Sequence, residues 1–323
     1  VKRSLIAAVL CVSSTAAAEP ATLKIGTLAP PDSPWGQVFK VWRRAVGERS
    51  HGAVDLQFYW SGQQGDDRAM VGKIRTGQLD GAALAGAGLA EIDPQALVLQ
   101  IPGLFREWSK LDAARADMRP GFDARFERQG FKVLGWGDIG RAHAMSKGFQ
   151  VHLPADLRHH RTFYLPGDPI APVVFALIGD VTPRQVAVQE ILPGLTAGTI
   201  DVVTVPALVA EQLQWSSRLD TIGEDVAGIG IGALVFSSAR YAAIPADAQA
   251  VIVDTGRVAG EALTQRVRAE DDAALARLEA RMTRYTLTAT ERAAWEALFV
   301  ETARQLRGPV FDAAIFDEAV RHR

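Results

Sequence analysis

Cysteine is all but missing from this sequence: Cys11 is the sole one in 323 residues. It lies in an N-terminal segment, VKRSLIAAVLCVSSTAAAEP, where Lys2 and Arg3 precede the apolar stretch Leu5 to Val12 and then the small residues Ala16, Ala17 and Ala18. That is the pattern of a secretory signal peptide over residues 1–18, with cleavage expected after Ala18 and a periplasmic destination. Leu10 before Cys11 is wrong for a lipoprotein signal, so no membrane anchor is expected. A mature chain without cysteine forms neither a disulfide nor a thiolate metal site, and its stability must come from core burial.

Long hydrophobic runs are lacking too. No stretch approaches the roughly 20 apolar residues that cross a bilayer. Nor is there an excess of positive charge: without Lys2 and Arg3, 33 basic residues face 37 acidic ones, a balance of −4, which argues against a nucleic-acid partner. All seven lysines lie at or before Lys147, which reads as base composition and carries no functional weight.

Catalytic signatures are equally scarce. There is no glycine-flanked serine elbow, no HExxH pair and no cysteine nucleophile in the mature chain. GAGLAE at 86–91 follows a strand, but Glu91 stands where a dinucleotide fingerprint needs its third glycine, and GIGIGA at 228–233 fails the same test. His152, His159 and His160 with Asp156 could form a loose metal cluster. Their spacing matches no known site, and a solvated loop before a strand explains them better. Neither an enzyme nor a bound metal or cofactor is expected.

What the sequence does contain is an alternation of strand-like and helix-like segments. TLKIGT, a helix from about Pro34 to Ser50, AVDLQFYW, a helix over DDRAMVGKIRTG and LDGAALA make a βαβαβ series. Trp35, Val38, Phe39, Trp42 and Val46 recur at spacings of three and four, so the first helix should lay one face on a sheet. Trp108 to Gln129 reads as a helix, followed by FKVLGWGD and RAHAMSK, two strand candidates separated by a glycine-containing turn. A second series follows: RTFYL, the helix-like PIAPVVFALIGD, the helix AVQEILPGL, the strand IDVVTV and the buried strand GIGIGALVFSS. After Pro245 the periodicity is helical, with one long stretch from Ala246 to about Met282 and two shorter helices behind it. Two tightly coupled α/β domains with a cleft between them are expected.

Two kinds of residue stand out as candidates for contact with a ligand. Trp60, Trp136 and Trp215 sit at strand ends or in helical segments, where they could stack a ligand or simply fill core. Arg141 follows Gly140 between two apolar strands, where an arginine is costly to bury unless it meets a ligand or an ion-pair partner.

Several segments together resemble the substrate-binding proteins of tripartite ATP-independent periplasmic (TRAP) transporters, of the C4-dicarboxylate-binding type. They are LKIGTLAPPDSPWG, SGQQGDDRAMVGKIRTGQLDGA, IPGLF, GFKVLGWGDIGRAHAMSK, LPADL and IDVVTVP, spread from about residue 22 to 310. The resemblance implies a two-lobed α/β periplasmic-binding-protein (type II-like) fold with an interlobe cleft and a long C-terminal helix spanning both lobes. It also implies hinge closure on a small-molecule ligand and delivery to membrane permease subunits. Residues 19–138 with about 229–268 would form lobe I; residues 139–228 with about 269–323 would form lobe II and the C-terminal helices.

At the site, the resemblance is most informative where it breaks. Family members usually grip an organic acid through an arginine in a KIRVP pattern; here the stretch is TFYLP and Tyr164 takes the arginine's place. The family's DGQENP is DVVTVP here, with Thr204 for the glutamate and Val205 for the asparagine. Val188 corresponds to a pocket aromatic, and Ala85 stands where acid-sugar binders carry a glutamate. Asp67 of the acidic pair, Gly167 of the following turn and Trp215 complete the expected ligand-binding set, and Arg141 matches a second family arginine. A bidentate arginine–carboxylate pair contributes about 1.5–3 kcal/mol. Its loss points to an apolar or amphipathic solute, with Tyr164 as wall or hydrogen-bond donor and Arg141 as polar anchor. Two other expectations stand beside it: an organic-acid binder that uses Arg141, and a periplasmic ligand-sensing or orphan domain without a transport partner.

Overall fold

A computed structural model of the protein describes residues 20–323. The expected signal peptide, its cleavage point and Cys11 lie outside the described residues.

The chain begins with two parallel strands, β1 (Ala21–Thr27) and β2 (Val54–Tyr59), joined by helix α1 (Pro34–Arg49). Ser33 caps α1 by accepting from Gly36 N at 3.2 Å, and Pro34 suits the first turn because its missing N–H would have no partner there. The apolar stripe does what its spacing requires: Trp35, Phe39, Trp42 and Val46 are all buried. Helix α2 (Asp67–Arg75), capped by Asp66 through Ala69 N, leads to β3 (Gly81–Ala85), which lies parallel to β1. Then come α3 (Gly86–Ile92), a 3₁₀ segment (Pro94–Gln100) and α4 (Trp108–Arg128).

The two strand candidates after α4 are one strand, β4 (Phe131–Ser146). The glycine between them makes an irregularity within the strand instead of a turn: the register with its neighbour slips between Asp138 and Gly140, and Gly140 has φ +137°. A side chain there would sit 2.6 Å from Pro206 and 2.8 Å from Asp271, so only glycine allows the crossing.

The second α/β half contains β5 (Phe163–Tyr164), α5 (Ala171–Ile178), β6 (Arg184–Gln185), α6 (Val188–Thr196), β7 (Val202–Pro206), α7 (Ala207–Gln212) and β8 (Thr221–Gly223). The chain returns along β9 (Gly228–Ser237), then makes α8 (Ser238–Ala242), α9 (Ala246–Glu279), β10 (Thr283–Tyr285), α10 (Ala289–Leu306) and α11 (Ala313–Val320). The RTFYL strand shrinks to the two residues of β5, paired only with β6.

Eight strands share one sheet in the order β10-β8-β4-β9-β3-β1-β2, with β7 also beside β4. Phe131 to Asp138 of β4 pair with the end of β9, which pairs in turn with β3; Ala142 to Ser146 pair with β7. The long strands β4 and β9 therefore carry the sheet from one half to the other. Helix α9, 34 residues long, lies along β4 and touches α1 and α7. Glycines permit this close approach: a Cβ on Gly135 would meet Gly256 O at 2.7 Å, and one on Gly260 would meet Trp136 O at 2.7 Å. Helix α11 packs on α4 and the 3₁₀ segment, where Phe316 and Ala319 join the apolar cluster of Phe122, Phe126 and Trp136 in the first half.

Candidate ligand-binding site

A cavity of about 560 Å³ lies where the two halves meet, walled by the C-terminal ends of β1 and β3, the irregular stretch of β4, the β5 region, α5 and the start of α7. Most of its wall is apolar. Trp35 and Phe39 come from α1, Phe163 precedes Tyr164 on β5, Val174 and Phe175 come from α5, and Val209, Leu213 and Trp215 come from α7 and the turn after it. Trp215 is buried edge-to-face against Phe163, with ring centroids 5.9 Å apart.

Four aspartates and two arginines also line the cavity, and their surroundings differ. Asp138 is fully buried, yet it receives Arg115 at 2.5 Å and Arg268 at 2.7 Å. Asp225 holds Arg292 at 2.5 Å, and Arg106 is held by Glu296 at 2.6 Å. Both cavity arginines are thus already engaged. Asp67 is 2% exposed and accepts from Ala85 N at 3.2 Å; among the described residues it has no cationic partner. Burial pushes its carboxyl up to about 7, against the hydrogen bond from Ala85, which favours the ionised form. Asp168 lies in the turn before α5, with one oxygen accepting from Ile170 N at 2.8 Å and Ala171 N at 3.2 Å. Burial raises its carboxyl as well, and it too has no cationic partner among the described residues.

Gln100 and Tyr285 also line the cavity. Gln100 accepts from Ile231 N at 2.9 Å. Burial pushes the Tyr285 phenol up to about 12, so it stays protonated. Among the described residues no group of three or more His, Cys, Asp or Glu is placed to hold a metal ion, and no helix is long and apolar enough to cross a membrane.

A model of the DctP family, described as bacterial extracellular solute-binding protein, family 7, matches residues 25–307. The chain belongs to this family of TRAP-transporter solute-binding proteins. Uncharacterized protein y4mM of Sinorhizobium fredii is 28% identical over 181 residues, 56% of this chain; the match spans only 33% of that longer relative. A TRAP periplasmic solute-binding protein of Sulfurospirillum deleyianum with bound succinate superposes with a TM-score of 0.85 at 17% identity, over 94% of this chain and 99% of that one. One from Haemophilus influenzae with bound L-gulonate gives 0.86 at 13% identity, over 94% and 99%. The two-lobed family fold is therefore the fold of this chain, and its family binds solutes outside the cytoplasm for transport.

Within that family frame, the expected site residues divide. Asp67, Ala85, Tyr164, Val188, Val205 and Trp215 are brought together on the cavity wall. Gly167 lies in the turn beside it, at φ +86°, facing Ala87 O. Arg141 is not on the wall. The irregularity at Gly140 turns its side chain toward α9, where the guanidinium pairs with Asp272 and lies 5.9 Å from the Trp108 ring centre, while its backbone N–H donates to Asp271 at 2.8 Å. Trp136 is buried against Phe122 and Phe126, away from the cavity. Asp168 was absent from the expected set. Its signal, an aspartate followed by a proline and an apolar helix, was present but reads equally as an ordinary helix cap.

Proposed function

We propose that this chain is the extracytoplasmic subunit of a TRAP transporter that takes an apolar or amphipathic solute into the cavity, closes over it and delivers it to membrane permease subunits. The observation that carries this reading is the state of the cavity's charges. Tyr164, Val205, Val188 and Ala85 form wall where a carboxylate grip would be built, and Arg106 and Arg292 are bound to Glu296 and Asp225. A carboxylate entering such a wall would lose its hydration without gaining a cationic partner, which is costly.

Hinge closure would act where β4 and β9 cross, with residues 19–138 and about 229–268 as lobe I and 139–228 as the body of lobe II. The slip in β4–β9 register between Asp138 and Gly140, and the pairing with β7 that β4 takes up from Ala142 onward, support that division. Mass spectrometry of the solute that co-purifies from the native periplasm tests the function: a lipophilic or amphipathic molecule is expected, and a C4-dicarboxylate or sugar acid would overturn the reading.

A second reading, an organic-acid binder anchored by Arg141, draws support from the succinate and L-gulonate held by similar structures. It requires Arg141 to leave Asp272 and turn inward. Arg141→Ala would then abolish acid binding, whereas the apolar reading expects little change in solute affinity.

A further inference from the structure

We propose that the solute carries a protonated amine, which enters the cavity to lie against Asp67 and Asp168 while an apolar body fills the space between the aromatic walls. This deepens the apolar-cavity reading and rests on it.

Both carboxylates line the same cavity, and among the described residues only these two of its four aspartates are unpaired with a cation. They are also close in the fold. The turn from Leu165 that carries Asp168 contributes Leu165 and Pro166 to a crevice that Asp67 also walls. Neither side chain has spent its capacity. A carboxylate offers about four acceptor sites; Asp67 uses one, for Ala85 N, and Asp168 uses one oxygen for Ile170 N and Ala171 N. Each sits at a helix N-terminus, α2 and α5, whose partial charge of about +0.5 offsets only part of a full negative charge.

Nearby charges do not complete the balance. Asp66, next to Asp67, adds negative charge, and Arg68 is held by Glu91 at 2.8 Å. An ammonium brings one positive charge and three donors, matching the open acceptors, whereas an anionic ligand would meet like charge. Burial raises the Asp67 carboxyl, so ionisation there is unfavourable without a nearby positive charge.

Calorimetry at pH 8 with three probes of similar shape tests this: tryptamine, neutral 3-ethylindole and anionic indole-3-propionate. Tryptamine should bind at least tenfold tighter than 3-ethylindole, with indole-3-propionate weakest. Asp67→Asn and Asp168→Asn, which keep an oxygen for the backbone donors, should each cost tryptamine about tenfold and leave 3-ethylindole within about twofold. Near pH 7, titrations in buffers of different ionisation enthalpy should show proton release on tryptamine binding, lost in Asp67→Asn; a purely structural role would not produce it. If 3-ethylindole binds but tryptamine gains nothing over it, or indole-3-propionate binds best, the amine proposal is overturned and the apolar cavity stands. If none of the three binds, both fall. Should either variant fail to fold, probe order and proton release in the unaltered protein decide alone.

Discussion

Asp138 and Asp67 are buried aspartates on one cavity, and they are treated in opposite ways. Asp138 lies between two guanidinium groups, Arg115 from α4 and Arg268 from α9, and Asp112 closes the network by holding Arg268 at 2.6 Å. Among the described residues, Asp67 has one backbone donor and no cation. Burying a charge is costly unless it is paired. The first site meets that cost within the folded chain and so braces α4 and α9 against β4. The second leaves it open, which serves stability poorly and a ligand well. The difference separates charge that holds the lobes in place from charge left for a solute.

The largest effect that would test this contrast is Arg268→Ala. It strands Asp138 with one partner and Asp112 with only Arg115, and should destabilise the protein by about 3 kcal/mol in denaturant titration. A loss below 1 kcal/mol would mean that the network is not a brace. Asp67→Asn should act in the other direction. A carboxyl raised to about 7 in the fold, above its ordinary 3.8, binds more protons folded than unfolded. Its contribution is therefore favourable below pH 4 and is lost as the pH rises from 4 through 7. The variant escapes that loss, so it should be more stable than the unaltered empty protein at pH 8, on the order of 2–4 kcal/mol, with the gap closing by pH 4. Equal melting temperatures at pH 8 would show that Asp67 is already satisfied. The smallest effect belongs to Arg141→Ala. Its partner Asp272 is 57% exposed, so loss of the pair should cost about 0–1 kcal/mol of stability.

Much of the fold was legible in the residues. The stripe on α1, the span of α9 and the strands β1, β2, β3, β7 and β9 follow from apolar period and caps, because local pattern there agrees with burial. The break expected inside β4 does not form, because glycine signals a turn in a local window, whereas Gly140 answers to Pro206 and Asp271, which arrive from elsewhere in the chain. Sites were harder. Tyr164, Val205, Val188 and Ala85 line the cavity, each a short or rigid side chain whose place follows its backbone. Arg141 does not, because a long side chain takes its direction from the partner it finds, here on a helix more than a hundred residues later.

The sequence by itself determined that the chain is a family 7 solute-binding protein and that its halves are α/β. These are matters of residue identity and local period. Tertiary structure alone decided which charges are spent and which remain. Asp112, Asp138, Arg115 and Arg268 are scattered along the chain and neutralise one another only when α9 lies on β4; Asp67 and Asp168 come to one cavity with no such partner among the described residues. Pairing depends on distance in space, which no spacing along the chain records.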